Sequence, residues 1–335
     1  MNIIIDAFGG DLGPRAAIDG ALMAMRERSD ISVTLSGDEE KLKAELTAAG
    51  ALDKFSILHA PTVVDGHDDP TSAVKAKADS SMMKGLRALS EGKGDAFISA
   101  GNTGALFSGG TLIVKRLPGV KRGALAPLLP GKDGFFMLID AGANIVCTPQ
   151  MLLQFGVMGS VYMRMVKGIK DPKVGLLNVG SEDTKGTELQ LEAYKLLKAA
   201  DINFIGNIEG RDVPYTGADV VVTDGFTGNV TLKLYEGLAK VLMGSVKDAL
   251  MSGTKAKLGA MMAKDSLSDL KKRYDYKEVG GTAFLGLKRP VFKTHGSSDA
   301  RTFYSTIINV SDYVKADVTN EIKKGIEATA SADEE

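Results

Sequence analysis

Val220-Val-Val-Thr223 runs straight into Asp224-Gly-Phe-Thr-Gly-Asn229, and a helical pattern begins beyond that loop. An apolar run without polar alternation suits a strand covered on both faces, the habit of parallel sheets. The same passage from apolar run to a small polar loop recurs at Asp6-Ala-Phe-Gly-Gly-Asp11, Ser99-Ala-Gly-Asn-Thr-Gly104, Asp140-Ala-Gly-Ala-Asn144, Asn178-Val-Gly-Ser-Glu182, Gly206-Asn-Ile-Glu-Gly210 and His295-Gly-Ser-Ser-Asp299. In an open α/β sheet, loops leaving the carboxyl ends of strands gather along one edge and line a common cleft. Glycine lets backbone N–H groups approach a ligand, and a helix N-terminus just beyond adds partial positive charge. A cleft so built suits an anion.

Strands are expected at Ile3–Ile5, Ile31–Leu35, Phe55–Leu58, Ala96–Ser99, Phe135–Ile139, Val174–Asn178, Ile202–Ile205, Val220–Thr223 and Val291–Lys293. Helical patterns alternate with them: Pro14 ahead of Ile18, Leu22 and Met25; Asp38 capping Leu42 and Leu46; Val74, Met82 and Leu86; Pro149 ahead of Leu152, Leu153 and Val157; Thr187 ahead of Leu189, Ala193 and Leu196. The fold class is therefore expected to be α/β, with residues 1–335 forming a single α/β unit of two lobes about a cleft. After Asn229, the stripe of Val230, Leu234, Leu238, Val241 and Leu242 reads as the core-facing side of a long buried scaffold helix. Residues 253–277 break the pattern. There Leu258-Gly-Ala-Met-Met262 forms an apolar tip among Lys255, Lys257 and Lys264, followed by Lys271, Lys272 and Arg273, so a protruding helical hairpin with a basic stem is expected. Residues 330–335 read as a frayed acidic tail.

With 335 residues, 44% of them hydrophobic, the chain can bury a large core, and its net charge of −1 offers no global basic field for nucleic acid. The single cysteine, Cys147, forbids an intrachain disulfide, and three histidines beside it do not make a Cys/His zinc site. A first strand starting at Asn2 and the lack of a long uncharged stretch point to a cytoplasmic protein. Neither a G-x-G-x-x-G opening a βαβ unit, nor a G-x-x-x-x-G-K-[ST] loop, nor a G-x-S-x-G elbow is present. Cys147 has no patterned base beside it and reads as a small buried hydrophobe.

Among the loops, His295-Gly296-Ser297-Ser298 concentrates an imidazole, two hydroxyls and backbone N–H donors at a helix start, although capping alone would also use these serines. Asn229 can cap its helix or aim its amide at a ligand. Lys185, in a glycine-bounded loop, can neutralise a phosphate or simply be solvated. The hairpin can be a dimer contact, or a surface for membrane or an acidic protein.

In these loops, and in Asp79-Ser-Ser-Met82, Gly142-Ala-Asn144 and Leu176-Leu-Asn-Val-Gly180, the chain closely resembles the bacterial phosphate acyltransferases, the acyl-acyl-carrier-protein:phosphate transacylases. The matching segments follow one another over nearly the whole chain. The stretch Pro70–Met82 departs from that family in being less basic, with Ala76 and Ala78 standing beside Lys75, Lys77 and Asp79. The resemblance implies a three-layer α/β/α, mostly parallel fold akin to phosphotransacetylases and isocitrate/isopropylmalate dehydrogenases. It implies a homodimer converting acyl-[acyl carrier protein] and inorganic phosphate to acyl phosphate, without cofactor or metal. It further implies that the product feeds phospholipid biosynthesis through a glycerol-3-phosphate acyltransferase at the cytoplasmic face of the membrane. Lys185, Asn229 and His295 are carried over as catalytic. Gly9, Gly10, Asp11, Asn102, Thr103, Gly104, Asn144, Asp224, Gly296, Ser297 and Ser298 become candidates for phosphate or acyl contact. Lys257, Leu258, Met261, Met262, Lys264, Lys271, Lys272 and Arg273 become candidates for carrier or membrane contact.

Phosphate is already a nucleophile, so such an enzyme needs to hold it beside a thioester and stabilise the oxyanion. Lys185 and the loops at Asn102 and Ser297 are expected to hold it, with Asn229 or a backbone N–H facing the oxyanion and His295 assisting. Two rival readings are an isocitrate-dehydrogenase-like oxidoreductase, which lacks its metal-binding aspartates here, and a non-catalytic, membrane-docked scaffold of fatty-acid enzymes.

Overall fold

The computed structural model describes residues 1–132, 134–215, 217–273 and 279–331. Strands β1 (Asn2–Asp6), β2 (Ser32–Gly37), β3 (Ser56–His59), β4 (Ala96–Ser99), β5 (Ala124–Ala126), β6 (Leu128–Gly131), β7 (Gly134–Ile139), β8 (Lys173–Asn178), β9 (Asn203–Glu209), β10 (Val220–Val222), β11 (Thr282–Leu285) and β12 (Val291–Lys293) form two sheets. The first has the order β3-β2-β1-β4-β12-β11-β5 and the second β6-β7-β10-β8-β9. Pairing is parallel except where β11 or β6 takes part.

Alternate residues of the same strand enter different cores, as the two-residue period of a strand requires. Ile3, Ile5, Val220 and Val222 join one cluster with Ile18, Leu152, Phe155, Leu197, Phe303 and Ile307. Ile4, Phe97 and Val221 join the other with Met83, Leu86, Leu106 and Leu232. Helices thus cover both faces: α1 (Pro14–Glu27), α2 (Glu39–Ala48), α3 (Ala73–Ala76), α4 (Ser81–Ser90), α5 (Thr103–Gly109), α6 (Pro149–Lys167), α7 (Glu188–Ala199) and α8 (Gly225–Met251), then α9 (Thr254–Met262), α10 (Lys264–Arg273), α11 (Ala300–Lys315) and α12 (Val318–Ser331). Several start as the sequence requires. Pro14 and Pro149 occupy first-turn positions, the Asp38 side chain accepts from Lys41 N, and Thr187 and Gln190 form a capping box.

The sheets meet where β5 runs through Pro127 into β6. Leu138 N donates to Pro127 O at 3.0 Å and Ala141 N to Leu125 O at 2.9 Å, so β7 rides on both strands. Asp140 pins the joint. Its carboxylate, fully buried, accepts from Leu125 N (2.9 Å), Ala143 N (3.1 Å), Asn144 N (2.7 Å) and Asn144 Nδ2 (2.9 Å). Burial pushes this carboxyl up, and the four donors pull it back.

Three expectations are corrected. The nine strands read from the sequence are present, but β5, β6 and β11 add to them. Gly206–Gly210 is no free loop, because β9 continues to Glu209 through an irregularity in its pairing with β8. The long helix after Asn229 is not buried: among its residues only Gly225, Gly228 and Leu232 are, whereas Val230, Leu234, Leu238, Val241 and Leu242 are each more than half exposed. The physical reason is length. At 27 residues α8 is roughly 40 Å long, and strands of 3 to 7 residues beneath it cannot cover that span. α9 buries none of its residues, and Leu258, Met261 and Met262 are exposed beside Lys257 and Lys264. Lys271, Lys272 and Arg273 end α10, and the rest of the expected hairpin, 274–277, lies outside the described residues. α12 runs to Ser331, inside the expected tail, whose residues 332–335 also lie outside.

Replacing Asp140 by Ala strands two buried backbone N–H groups, those of Leu125 and Asn144, at about 1–3 kcal/mol each, and a part-buried one at Ala143. Asp140→Ala should therefore lower the unfolding free energy in urea by about 3 kcal/mol or more; an unchanged midpoint would remove Asp140 from its place at the joint.

Candidate active site

Parallel register aligns the last residues of neighbouring strands. Ser36, Asp6, Ser99 and Lys293 stand side by side on β2, β1, β4 and β12, forming a polar row where the apolar runs end. Asp6 is buried; its Oδ2 accepts from Ser99 Oγ at 2.7 Å, while Oδ1 has no hydrogen-bond partner among the described residues. Burial pushes the Asp6 carboxyl up, and the Ser81 and Ser99 hydroxyls, the Phe8 backbone and Lys293 draw it down. Gly9 passes directly over this row. A Cβ there would come within 2.4 Å of Asp6 Oδ2 and 2.8 Å of Gly101 N, so no other residue lets the β1 and β4 loops close up.

The β12 loop joins them. Asp11 N donates to Gly296 O at 2.8 Å, and Lys293 Nζ donates to Ala100 O at 3.0 Å and to Thr294 O. His295 Nδ1 and Ser297 Oγ are 2.8 Å apart, both residues exposed. Ser298 is buried with its hydroxyl 2.6 Å from Thr294 Oγ1, and Asp299 caps α11 through Thr302. The Asn102 side chain also works inward. It caps α5 through Ala105 N at 3.0 Å and donates to the carbonyls of Asp65, Gly66 and Asp68, leaving Thr103 exposed beside it. Gly104 packs on Pro70.

At the second sheet, the loops after β7, β10 and β8 leave one edge in that spatial order. Asp224 caps α8, accepting from Thr227 N at 2.9 Å and Thr227 Oγ1 at 2.7 Å. That settles the choice at Asn229: it is no cap but an exposed residue of the first turns, donating to Ala141 O at 3.3 Å. Gly228 makes this contact possible, since a Cβ there would lie 1.8 Å from Asp140 O. Asn144 is buried, with its amide on Gly123 O and Asp140 and its carbonyl on Gly225 N. Asn144, Asp224, Asn102 and Ser298 therefore spend their side chains on holding loops. The sequence could not separate this from ligand contact, because the residue types that cap a helix also bind anions.

Lys185 is exposed. Its backbone is tied down by Asn178 Nδ2 on its carbonyl at 3.0 Å and by its own N–H on Glu182 O at 3.2 Å, and its ammonium has no ion pair among the described residues. Cys147 is buried beneath the second edge with its thiol on Asn144 O, and burial pushes that thiol up to about 11. It is not a thiolate at neutral pH. No three His, Cys, Asp or Glu side chains among the described residues converge on a metal position. A cavity of about 90 Å³ lined by Phe135, Phe136, Val213, Pro214 and Asp219 lies at the opposite edge, where β7 and β10 begin. What faces outward at the carboxyl edges is thus a cation (Lys185), an amide (Asn229), an imidazole with a hydroxyl (His295, Ser297) and a hydroxyl (Thr103), together with the Asp11 carboxylate. This set suits holding an anion and an oxyanion, and contains no activated nucleophile. Lys293 was missed from the sequence. It sits at the end of an apolar run beside His295, and there it reads simply as the last residue of a strand.

A family model described as "Fatty acid synthesis protein" matches residues 1–321. The Phosphate acyltransferase of Bacillus pumilus (strain SAFR-032) is 48% identical over 320 residues, 95% of this chain and 96% of that protein. That of Clostridium tetani (strain Massachusetts / E88) is 43% identical over 325 residues, 97% of each. A solved phosphotransacetylase from Streptococcus pyogenes shares the fold with a TM-score of 0.62 at 19% identity over 94% of each chain. Matched at these identities over nearly its whole length, the chain belongs to the phosphate acyltransferase family, a family of acyltransferase enzymes.

Proposed function

We propose that the chain transfers an acyl group from acyl-[acyl carrier protein] to inorganic phosphate by direct attack, in a groove between the two rows of loops. One observation carries the mechanism: the outward-facing side chains offer charge and hydrogen bonds, while the single cysteine is a buried thiol. Lys185 and the loops at Thr103 and Ser297 hold the phosphate. A phosphate oxygen bonds to the thioester carbon, and the carbonyl electron pair moves to oxygen, where the Asn229 amide or a backbone N–H receives it. The C–S bond then breaks. The thiolate takes the proton that hydrogen phosphate carried, so the products are acyl phosphate and carrier thiol. His295 orients Ser297 through their mutual hydrogen bond.

The product is an activated acyl group, which fits phospholipid synthesis and a downstream glycerol-3-phosphate acyltransferase. The apolar stripe of α8 fits a second copy of this chain. The tip at Leu258, Met261 and Met262, with Lys257 and Lys264, fits the anionic cytoplasmic face of a membrane. No helix among the described residues is long and apolar enough to cross a membrane.

Purified protein mixed with acyl-carrier thioester should release thiol only when phosphate is added; phosphate-independent release, or none, would defeat the reading and leave the oxidoreductase or scaffold alternatives. A charge-assisted hydrogen bond contributes about 1.5–3 kcal/mol. Lys185→Ala should accordingly lower kcat/KM for phosphate by about 10- to 100-fold with an unchanged melting temperature, and unaltered kinetics would take Lys185 out of the scheme. For the surfaces, Leu238→Glu should convert a dimer to monomers in sedimentation, and Met262→Glu should weaken co-sedimentation with anionic vesicles. If both variants behave as wild type, these faces have other uses.

A further inference from the structure

Lys293 is set into the sheet edge at the end of β12. It stands level with Ser99, which stands level with Asp6, and its Nζ bridges the Ala100 carbonyl of the β4 loop and the Thr294 carbonyl that opens the His295 loop. An ammonium carries three N–H donors, and the described residues take two of them. No carboxylate forms an ion pair with it among the described residues, although Asp6 and Asp11 lie close enough for their charge to be felt. A largely desolvated ammonium held by neutral carbonyls is an expensive arrangement unless an anion completes it.

We propose that Lys293 holds the phosphate, donating its remaining N–H to an oxygen of the anion bound where the β1, β4 and β12 loops meet. The proposal rests on the transacylase reading above and adds a residue to it. Gly9, Gly10 and Gly296 let these loops close on one another here, since a Cβ at each would come within 2.4 Å of Asp6 Oδ2, 3.1 Å of the Ala100 Cβ and 3.0 Å of Asp11 Oδ2 respectively. Around Lys293 the titratable groups are Asp6 at the end of β1, Asp11 in the following loop, Lys233 on α8 and His295 two residues on. Burial lowers the Lys293 ammonium, Asp6 and Asp11 raise it, Lys233 lowers it further, and the outcome is about 8 against an ordinary 10.5. Lys233 belongs to the second sheet's long helix, so an anion here would be approached by cations from both sheets.

Linkage gives the proposal a signature. An anion that needs the ammonium binds more weakly as pH rises through about 8. Fold stability moves the other way. The unfolded chain keeps this proton up to 10.5 and the folded one only to about 8, so across that window this group makes the fold more stable as pH rises. Alkaline loss of phosphate affinity is then separable from unfolding.

The test is calorimetric titration of the full-length protein with inorganic phosphate from pH 7 to 9.5, for wild type, Lys293→Met and Lys293→Arg, with steady-state kinetics and melting temperatures alongside. Wild type should lose affinity through about pH 8. Lys293→Met should bind phosphate at least about tenfold more weakly, the loss expected for one charge-assisted hydrogen bond, with a raised KM for phosphate, an unchanged KM for the acyl carrier and no alkaline limb. Lys293→Arg should restore binding and keep it through the alkaline range. A wild-type affinity that is flat across this range, or a folded Lys293→Met that binds phosphate as wild type does, overturns the role of Lys293 and leaves the transacylase reading intact. A wild type that binds no phosphate and releases no thiol overturns both.

Discussion

Parallel hydrogen bonding between adjacent strands is the constraint on which the rest depends. It brings the carboxyl ends of β1, β4 and β12 to one edge and those of β7, β10 and β8 to another, so residues from 6 to 299 become neighbours. Short apolar strands cannot by themselves carry polar chemistry. The polar groups therefore collect where the strands stop, and glycine lets the loops close over them without side chains between. The Ser36–Asp6–Ser99–Lys293 row makes this visible: polar side chains one strand apart, roofed by Gly9 and Gly101. At the joint between the sheets, Asp140 binds the β5 backbone and the loop beneath Asn229, so the second edge is anchored by the strand junction itself.

The loops divide the work. Asn102, Asn144, Asp224, Asp299 and Ser298 satisfy backbone or neighbouring groups and fix loop shape, and Lys185, Asn229, His295 and Ser297 are left facing outward. Such a site is preorganised before any ligand arrives, which is what electrostatic stabilisation of an oxyanion requires. In the proposed reaction the phosphate is its own nucleophile, so positioning and charge suffice.

Much of this was legible in the residues. Continuous apolar runs such as Val220–Val222 and Ile3–Ile5 announced two-sided burial, and the loops after them announced the edge. The rest is hidden in the sequence for physical reasons. β5 and β6 are three and four residues long around Pro127, and β11 pairs antiparallel in an otherwise parallel sheet, so none carries a period long enough to read. The stripe on α8 has the spacing of a core-facing helix, but spacing records only that an apolar face needs a cover, and the described residues cover just the first turns. Asn and Asp at loop starts were visible, yet their division between capping and ligand contact depends on which backbone N–H lies nearest. Lys293 was hidden by its place at a strand end, since only the cross-strand register sets it beside Ser99.

Direct attack by phosphate, with no acyl-enzyme, is the central claim. Intact-protein mass spectrometry after rapid mixing with acyl-carrier thioester in phosphate-free buffer tests it most directly. The account predicts an unmodified mass and no free thiol until phosphate is added. A burst of thiol stoichiometric with enzyme, accompanied by a mass gain equal to the acyl group, would contradict it.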